Sequence, residues 1–255
     1  RFPSEDLRRD FPSPLTVWLL IPAGAPVDEP IARLIPMLAP NDVLVDGGNS
    51  YYKDTQRRAR LLAQHQIEYV DVGTSGGIWG IEEGYSLMIG GAEPAVTRLR
   101  PIFESLAPAP DHGWGHVGPH GAGHFVKMIH NGIEYGMMQA YAEGFAVMQR
   151  KDEFGLDLHQ IAEIWRHGSV VRSWLLDLTA TTLQNNPTLE GIAPFVADSG
   201  EGRWTAAEAF DLGVAAPIIT LSLIARLRSR DAESFSDKLL ASLRHSFGGH
   251  DVRKE

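Results

Sequence analysis

The chain has 255 residues, of which 44% are hydrophobic and 22% charged, which is enough apolar material for one large domain or two ordinary ones. Its net charge of -9 argues against nucleic acid as a general partner, and it has no apolar run of the roughly 18 residues that a membrane-spanning helix needs. The absence of cysteine excludes disulfides, thiolate zinc sites and cysteine nucleophiles, and it fits a cytoplasmic location.

Short apolar runs alternate with helical patterns over the first 118 residues. The runs predict strands at residues 15–21, 43–45, 68–72 and 85–89. Amphipathic periodicity predicts helices at residues 28–38, 53–66 and 93–106. This alternation is typical of a mostly parallel sheet with helices on both of its faces.

From residue 121 onward the pattern is helical. One long helix is predicted at residues 121–150, and further helices are predicted at residues 158–166, 172–185, 205–228 and 232–244. We therefore expect an α/β, Rossmann-like domain at residues 1–119, followed by an all-α domain at residues 120–255.

The α/β domain looks incomplete in the printed sequence. A doubly wound nucleotide-binding sheet opens with a strand, a glycine-rich turn and a helix. No G-x-G-x-x-G motif precedes Leu15, and the chain begins with an arginine. We expect that the N-terminal part of the domain is missing from the chain as given; the alternative is a fold of another type.

Two glycine-rich segments each follow a predicted strand, DGGNS at 46–50 and GTSGG at 73–77. Glycines let a ligand approach the backbone, and Asn49 and Ser75 add side-chain hydrogen-bonding groups. In a parallel sheet, ligands bind at the carboxyl ends of the strands. The alternative is structural: a strand-to-helix turn with Ser50 as the N-cap, and an ordinary flexible loop in the second segment.

The long helical segment carries an unusual polar face. At about 100° per residue, Lys127, His130, Asn131, Glu134 and Tyr135 share one side of the helix. Such a face is usually solvated. Here, however, the lysine and the glutamate are the only charged residues between positions 124 and 142, among glycines and methionines. A largely buried helix with one lysine and one glutamate on the same face favours an acid–base site.

Regularly spaced histidines and an arginine in an apolar stretch are two further candidate sites. Histidines recur every four residues, as the ligands of a helical metal site would, at His112, His116, His120 and His124. The glycines and the proline between them disfavour a continuous helix, so we expect no metal site. Arg226 lies in an apolar helical stretch and needs a partner, for which an anion is one candidate. A surface arginine is the alternative.

Together these segments resemble the decarboxylating 6-phosphogluconate dehydrogenases, a family of the β-hydroxyacid dehydrogenase superfamily. The matching stretches are VDGGNSYYKDT (45–55), DVGTSGGIWG (71–80), GAGHFVKMIHNGIEYGMMQAYAEG (121–144), GEGRWT (200–205) and RHSFGGH (244–250). They occur in the family's order. The chain ends soon after the all-α unit that longer members roughly duplicate. It also has Arg203 where those members have lysine. In both respects the chain resembles the short branch of the family.

The resemblance implies oxidation and decarboxylation of 6-phosphogluconate to ribulose 5-phosphate and carbon dioxide, a step of the pentose phosphate pathway. Lys127 would be the general base that takes the proton of the 3-hydroxyl. Glu134 would be the acid that protonates the enediol at C1. Burial suits both roles, because it favours a neutral lysine and a neutral glutamic acid.

The resemblance also implies binding roles. The carboxylate and hydroxyls of the substrate would be held by Asn49, Ser75, Gly76, Gly77, His130 and Asn131. The phosphate end would be held by Tyr135, Arg203, Thr205, Arg226, Arg244 and His250. The cofactor would be contacted by Pro22, Ala23, Gly24 and Asn49. We expect NAD, since the short branch tends towards it, and NADP stays open.

The family's C-terminal tail reaches into the site of the neighbouring subunit. Arg244 and His250 would then act in trans, in a homodimer or homotetramer.

Two other functions stay open. A related β-hydroxyacid dehydrogenase acting on a smaller, unphosphorylated acid would keep Lys127 but would have no use for Arg203, Arg226, Arg244 and His250 together. A non-catalytic, oligomeric sugar-phosphate-binding protein is the other alternative, if the dinucleotide segment is absent from the real protein.

Overall fold

The computed structural model describes residues 14–253. Its first part is a five-stranded sheet in the order β1-β2-β3-β4-β5, and the strands are β1 (Thr16–Leu19), β2 (Val43–Asp46), β3 (Glu68–Ser75), β4 (Ser86–Gly91) and β5 (Trp114–Gly118). Every neighbouring pair is parallel except β3 and β4. The predicted, mostly parallel sheet is thus confirmed. The sequence did not predict β5, whose glycines hide the apolar alternation.

Four helices accompany the sheet: α1 (Ala25–Leu34), α2 (Tyr52–Ala63), α3 (Gly80–Glu83) and α4 (Glu93–Leu106). Alternation along the strands divides the apolar side chains between two cores. Val70 and Val72 pack with Phe103 of α4, whereas Leu44 and Tyr69 pack with α1 and α2. Burial on both faces explains why apolar side chains point to both sides of the central strands β2 and β3.

In the part of the chain that the structure describes, α-helices are the main elements after Gly118: α5 (Ala122–Gln149), α6 (Leu158–Arg166), α7 (Trp174–Asn185), α8 (Glu201–Asp211), α9 (Pro217–Ser229) and α10 (Phe235–Gly248). The predicted α/β part followed by helices is therefore confirmed. The single helix expected at 205–228 is wrong. Gly213 adopts φ 66°, and Pro217 begins a new helix at α9.

The described chain forms two compact units. The first contains the residues up to Glu134 together with Gly200–Ala215, and the second contains Tyr135–Ser199 and the residues from Ala216 onward. The core of the second unit joins Phe145 of α5 to apolar side chains of α6 and α7. The boundary predicted near residue 119 stays a prediction. No helix among residues 14–253 combines the length and apolarity that crossing a bilayer requires.

Candidate active site

One face of β3 is the surface on which the N-terminal half of α5 rests. Because side chains alternate along a strand, Gly73 and Ser75 point to the same side. A Cβ placed on Gly73 would lie 2.4 Å from the Cβ of Lys127, so only glycine fits there without a shift. One step further along the strand, the Ser75 hydroxyl oxygen lies 3.3 Å from Nε2 of His130.

The imidazole of His130 is the centre of the polar cluster. Its Nδ1 lies 3.5 Å from Nζ of Lys127, 3.0 Å from Oδ1 of Asn131 and 3.8 Å from Oε2 of Glu134. Its other nitrogen faces Ser75. The structure therefore brings three other residues of the predicted helix face, and the last residue of β3, around the His130 ring.

Lys127 is buried, with 6% of its surface exposed. Burial lowers the pKa of Lys127 below its ordinary value, while the negative charges of Glu134 and Glu201 act in the opposite direction. A lysine with a lowered pKa is neutral in a larger fraction of molecules, and a neutral amine can accept a proton. Glu201 was not predicted as a site residue from the sequence, although this buried carboxylate begins α8 within the GEGRWT motif.

The side chain of Glu134 is less buried than the sequence predicted. Its side chain is 37% exposed in the described chain. The physical reason lies in the length of β3: the strand ends at Ser75, which lies beside His130, and Glu134 is one helical turn further along α5. The lysine is thus covered by the sheet, and the glutamate is not.

Helix α8 packs on the same stretch of α5 through Thr205. The Thr205 hydroxyl lies 2.6 Å from the carbonyl oxygen of Met128 and 2.9 Å from that of Glu201. A Cβ on Gly132 would meet the Thr205 methyl group at 2.6 Å, which explains why a glycine stands at this position within α5. Thr205 is buried and Arg203 is exposed. Their predicted phosphate-binding roles stay predictions.

The second unit contains a separate cationic cluster. The guanidinium carbon of Arg226 lies 3.5 Å from the centre of the Tyr135 ring, a cation–π contact. Nη1 of the arginine donates to the carbonyl of Ala197 at 2.8 Å. Tyr135 is buried, and its hydroxyl lies 3.5 Å from Oδ1 of Asp198. Arg226 is therefore held by its neighbours and is not a loose surface arginine.

The predicted tail residues lie on or just after α10. Both Arg244 and His250 are exposed, and in the described chain α10 has no buried residue. Phe235 and Phe247 of this helix are 77% and 79% exposed. These residues contribute to no core within the described chain.

The segments predicted to contact the cofactor lie at the carboxyl ends of β1 and β2. Pro22, Ala23 and Gly24 join β1 to α1, and Asn49 follows β2 and is exposed. Gly24 adopts φ 89°, and within the described residues a Cβ built on it would have no atom within 4 Å. A turn that ends in an open glycine before a helix, at the carboxyl end of a parallel strand, fits a nicotinamide dinucleotide.

A buried network joins these two turns. The Asp46 carboxylate accepts hydrogen bonds from the Ser50 hydroxyl at 2.7 Å and the Tyr69 hydroxyl at 3.0 Å. The buried guanidinium of Arg58 donates to the carbonyl of Gly24 at 2.9 Å. Ser50 is therefore not the N-cap of α2, where Tyr51 stands, and the structural alternative for this segment is wrong in that detail.

The regularly spaced histidines do not lie on one helix. His116 belongs to β5, whereas His124 belongs to α5, where its Nδ1 lies 2.7 Å from the Thr55 hydroxyl. The histidines lie on different elements because glycines between them prevent one continuous helix, as the sequence predicted. Across residues 14–253, histidines and acidic residues form no cluster of three that could hold a metal ion.

Known proteins resemble the chain over nearly its whole length. Residues 6–117 match a family model described as the NAD binding domain of 6-phosphogluconate dehydrogenase, and residues 123–245 match one described as the C-terminal domain of 6-phosphogluconate dehydrogenase. A putative 6-phosphogluconate dehydrogenase of Bacillus subtilis is 41% identical over 95% of this chain and 80% of its own length. An NAD(+)-dependent, decarboxylating 6-phosphogluconate dehydrogenase of Haloferax volcanii is 43% identical over 94% of this chain and 79% of its own length.

Among solved structures, 6-phosphogluconate dehydrogenase of Plasmodium falciparum matches with a TM-score of 0.82 and 30% sequence identity. The match covers 99% of this chain and 55% of the Plasmodium chain. The chain therefore spans about four fifths of the two short relatives and about half of this longer one.

Proposed function

We propose that this chain, which belongs to the 6-phosphogluconate dehydrogenase family, oxidises and decarboxylates 6-phosphogluconate with a nicotinamide cofactor. The products are ribulose 5-phosphate and carbon dioxide. The observation that carries the proposal is the buried, pKa-lowered Lys127 beside His130, with Glu134 on the same helix face.

The first chemical step requires a base. Lys127 in its neutral form accepts the proton of the substrate's 3-hydroxyl at Nζ. The nicotinamide, when bound, supplies the hydride acceptor for C3. Burial beneath β3 supports this role, because it lowers the pKa of the amine, so that a larger fraction of it is neutral, and leaves it little exposed to water. The resulting 3-keto acid is a β-keto acid, which loses its carboxyl group as carbon dioxide.

The last step requires an acid. Glu134 donates a proton to C1 of the enediol that decarboxylation leaves. Its partial exposure places it where a substrate can reach it, and His130 Nδ1 lies 3.8 Å from its carboxylate. The carboxylate and hydroxyls of the sugar acid are held by His130 and Asn131 together with Asn49, Ser75, Gly76 and Gly77.

The phosphate is assigned to the cations. A phosphate group suits arginine, whose planar donors match its oxygens. Arg226 is oriented by Tyr135 and by the Ala197 carbonyl, which supports a binding role for it. The same assignment is proposed for Arg203, Thr205, Arg244 and His250.

The assembly proposed is a homo-oligomer, a dimer or a tetramer. Exposed apolar side chains on α9 and α10 support it, because contact between subunits would remove large apolar side chains from water. They are Ile218, Leu221, Ile224, Phe235, Leu240 and Phe247. In that assembly the tail of one subunit supplies Arg244 and His250 to the site of the next.

The cofactor proposed is NAD, with NADP as the competing cofactor. Pro22, Ala23, Gly24 and Asn49 would contact its nicotinamide half, at the two turns that Arg58 and Asp46 hold in place. The homologues include both NAD(+)-dependent and NADP(+)-dependent enzymes.

The test uses the full-length gene product. Carbon dioxide release and nicotinamide reduction are measured with 6-phosphogluconate, with unphosphorylated gluconate and with a short 3-hydroxy acid, each with NAD and with NADP. The proposal expects equal amounts of carbon dioxide and reduced cofactor from 6-phosphogluconate. Turnover of the short acid alone would contradict it and would favour the related dehydrogenase, and no turnover by a folded oligomer would favour a binding protein.

A further inference from the structure

The helix that carries Lys127 begins on a buried carboxylate from β3. Asp71 is fully buried, and its two carboxylate oxygens accept hydrogen bonds from the backbone N–H of Gly121 at 2.8 Å and of His124 at 3.0 Å. These amides lie at the start of α5, where a helix has N–H groups without partners inside the helix. A carboxylate at this end is also favoured by the helix dipole.

The surrounding glycines bring the helix into backbone contact with the sheet. A Cβ on Gly90 of β4 would lie 2.6 Å from the Asp71 carboxylate, and a Cβ on Gly123 would lie 2.6 Å from the Asp71 carbonyl oxygen. Gly121 adopts φ 92°, a backbone conformation that favours glycine. The first turn of α5 therefore has no room to slide on β3 and β4.

Strand β3 and helix α5 are in register at three successive levels. Asp71 holds His124, Gly73 lies against Lys127, and Ser75 faces His130. Because alternate residues of a strand point to the same side, one row of β3 sets the position of three consecutive turns of the helix. The Asp71 contact is the only ion–backbone contact of the three, so it is the one that resists displacement most strongly.

We propose that Asp71 is a positioning residue for Lys127, which acts by fixing the register of α5 on β3 and so keeps the catalytic amine buried at the reacting atoms. The reaction itself is taken from the proposed function. Asp71 touches neither substrate nor cofactor in this account, and its effect passes through the helix backbone.

The chain offers a matched control in Asp42. This aspartate is also fully buried, and its carboxylate accepts two backbone N–H groups, from Leu15 at 2.7 Å and from Ala39 at 2.8 Å. It lies just before β2, at the amino end of the sheet, away from the ends that carry the candidate site. Asp42→Asn and Asp71→Asn therefore each replace a buried carboxylate that accepts backbone N–H groups, and only the second lies under the catalytic helix.

The experiment compares these two variants in the full-length protein by kcat, by melting temperature and by the labelling of Lys127. Labelling uses acetic anhydride over a range of pH, with the Lys127 peptide quantified by mass spectrometry, and it requires no substrate. We expect similar losses of melting temperature in both variants. Asp71→Asn alone should lower kcat, by about 10- to 100-fold, as a small misplacement of a catalytic group does.

The midpoint of labelling separates positioning from general destabilisation. In Asp71→Asn we expect it to move to higher pH, because a displaced Lys127 is less buried and regains part of its ordinary pKa. It should not move in Asp42→Asn. Equal kcat losses in the two variants, or an unchanged midpoint in Asp71→Asn, would overturn the proposal.

If the wild type does not turn over 6-phosphogluconate, the proposed function fails. The labelling midpoints of the two variants then test the positioning role on their own. A midpoint that moves to higher pH only in Asp71→Asn supports the role, and an unchanged midpoint in Asp71→Asn overturns it.

Discussion

The N-terminal half of α5 and the pair α9 and α10 differ in how much of their surface the same chain covers. Around Lys127, strand β3 contributes Ser75 beside His130, helix α8 packs through Thr205, and the lysine is 6% exposed. On α10, by contrast, the described chain buries no residue, and Phe235 and Phe247 are mostly exposed.

This difference separates two kinds of functional residue. The acid–base cluster is arranged by contacts within one chain, so substitutions beneath it should change the rate of chemistry. The predicted tail residues Arg244 and His250 have no such arrangement within the described chain, and their contribution should depend on assembly. Each prediction below tests one side of that contrast.

Among the three comparisons that test this contrast, the largest effect is expected beneath the lysine. Gly73→Ala places a methyl group 2.4 Å from the Lys127 Cβ and 2.7 Å from the carbonyl of Gly123, so α5 must move. We expect kcat to fall on the order of 100-fold. The control is Gly115→Ala in β5, where within the described residues no atom lies within 4 Å of the new methyl group. Equal activities of the two variants would show that the register of α5 on β3 is unimportant.

A smaller effect is expected at the cation of the second unit. Arg226→Met removes a guanidinium that is oriented by Tyr135, so KM for 6-phosphogluconate should rise about tenfold, the range of one charge-assisted hydrogen bond. Arg228→Met is the control, because Arg228 is exposed and pairs with Asp237. Any slow turnover of unphosphorylated gluconate should be equal in the two variants. If Arg226→Met also lost the turnover of gluconate, the result would argue against phosphate binding by Arg226.

The smallest effect tests action in trans. Subunits of Lys127→Met and of Arg244→Ala are unfolded, mixed in equal amounts and refolded together. If the tail serves the neighbour's site, a randomly mixed dimer has one intact site in each hybrid, so about one quarter of wild-type activity should return. Refolding each variant alone is the control. Absence of any recovery, with hybrids verified by mass spectrometry, would place Arg244 in its own subunit's site or outside the site.

Local pattern was enough to predict much of the site. The helix expected at 121–150 is observed at Ala122–Gln149, and its predicted polar face brings Lys127, His130 and Glu134 together. This succeeded because helix geometry alone fixes which residues share a face. Ser75 was predicted to follow a strand that ends at residue 72, whereas it is the last residue of β3 itself. Its contact with His130 spans 55 positions in sequence, and no periodicity shows it.

The features that failed depend on distant partners. Burial of Glu134 was wrong because the end of β3, a separate element, decides how far α5 is covered. Strand β5 and the break between α8 and α9 were hidden by glycines, whose conformation the surrounding structure selects. The role of Asp71 arises from hydrogen bonds to residues 50 and 53 positions away.

The central claim is that a neutral, buried Lys127 is the base of the reaction. Its most direct test is the pH dependence of kcat/KM for 6-phosphogluconate, in the full-length wild type and in Lys127→Met. Because burial lowers the pKa of Lys127, the wild type should stay active below the ordinary pKa of lysine and lose activity as the pH falls through the lowered pKa. Lys127→Met should lose about 1000-fold in kcat and show no such acid limb. A variant that keeps the wild-type rate and the same acid limb would contradict the account.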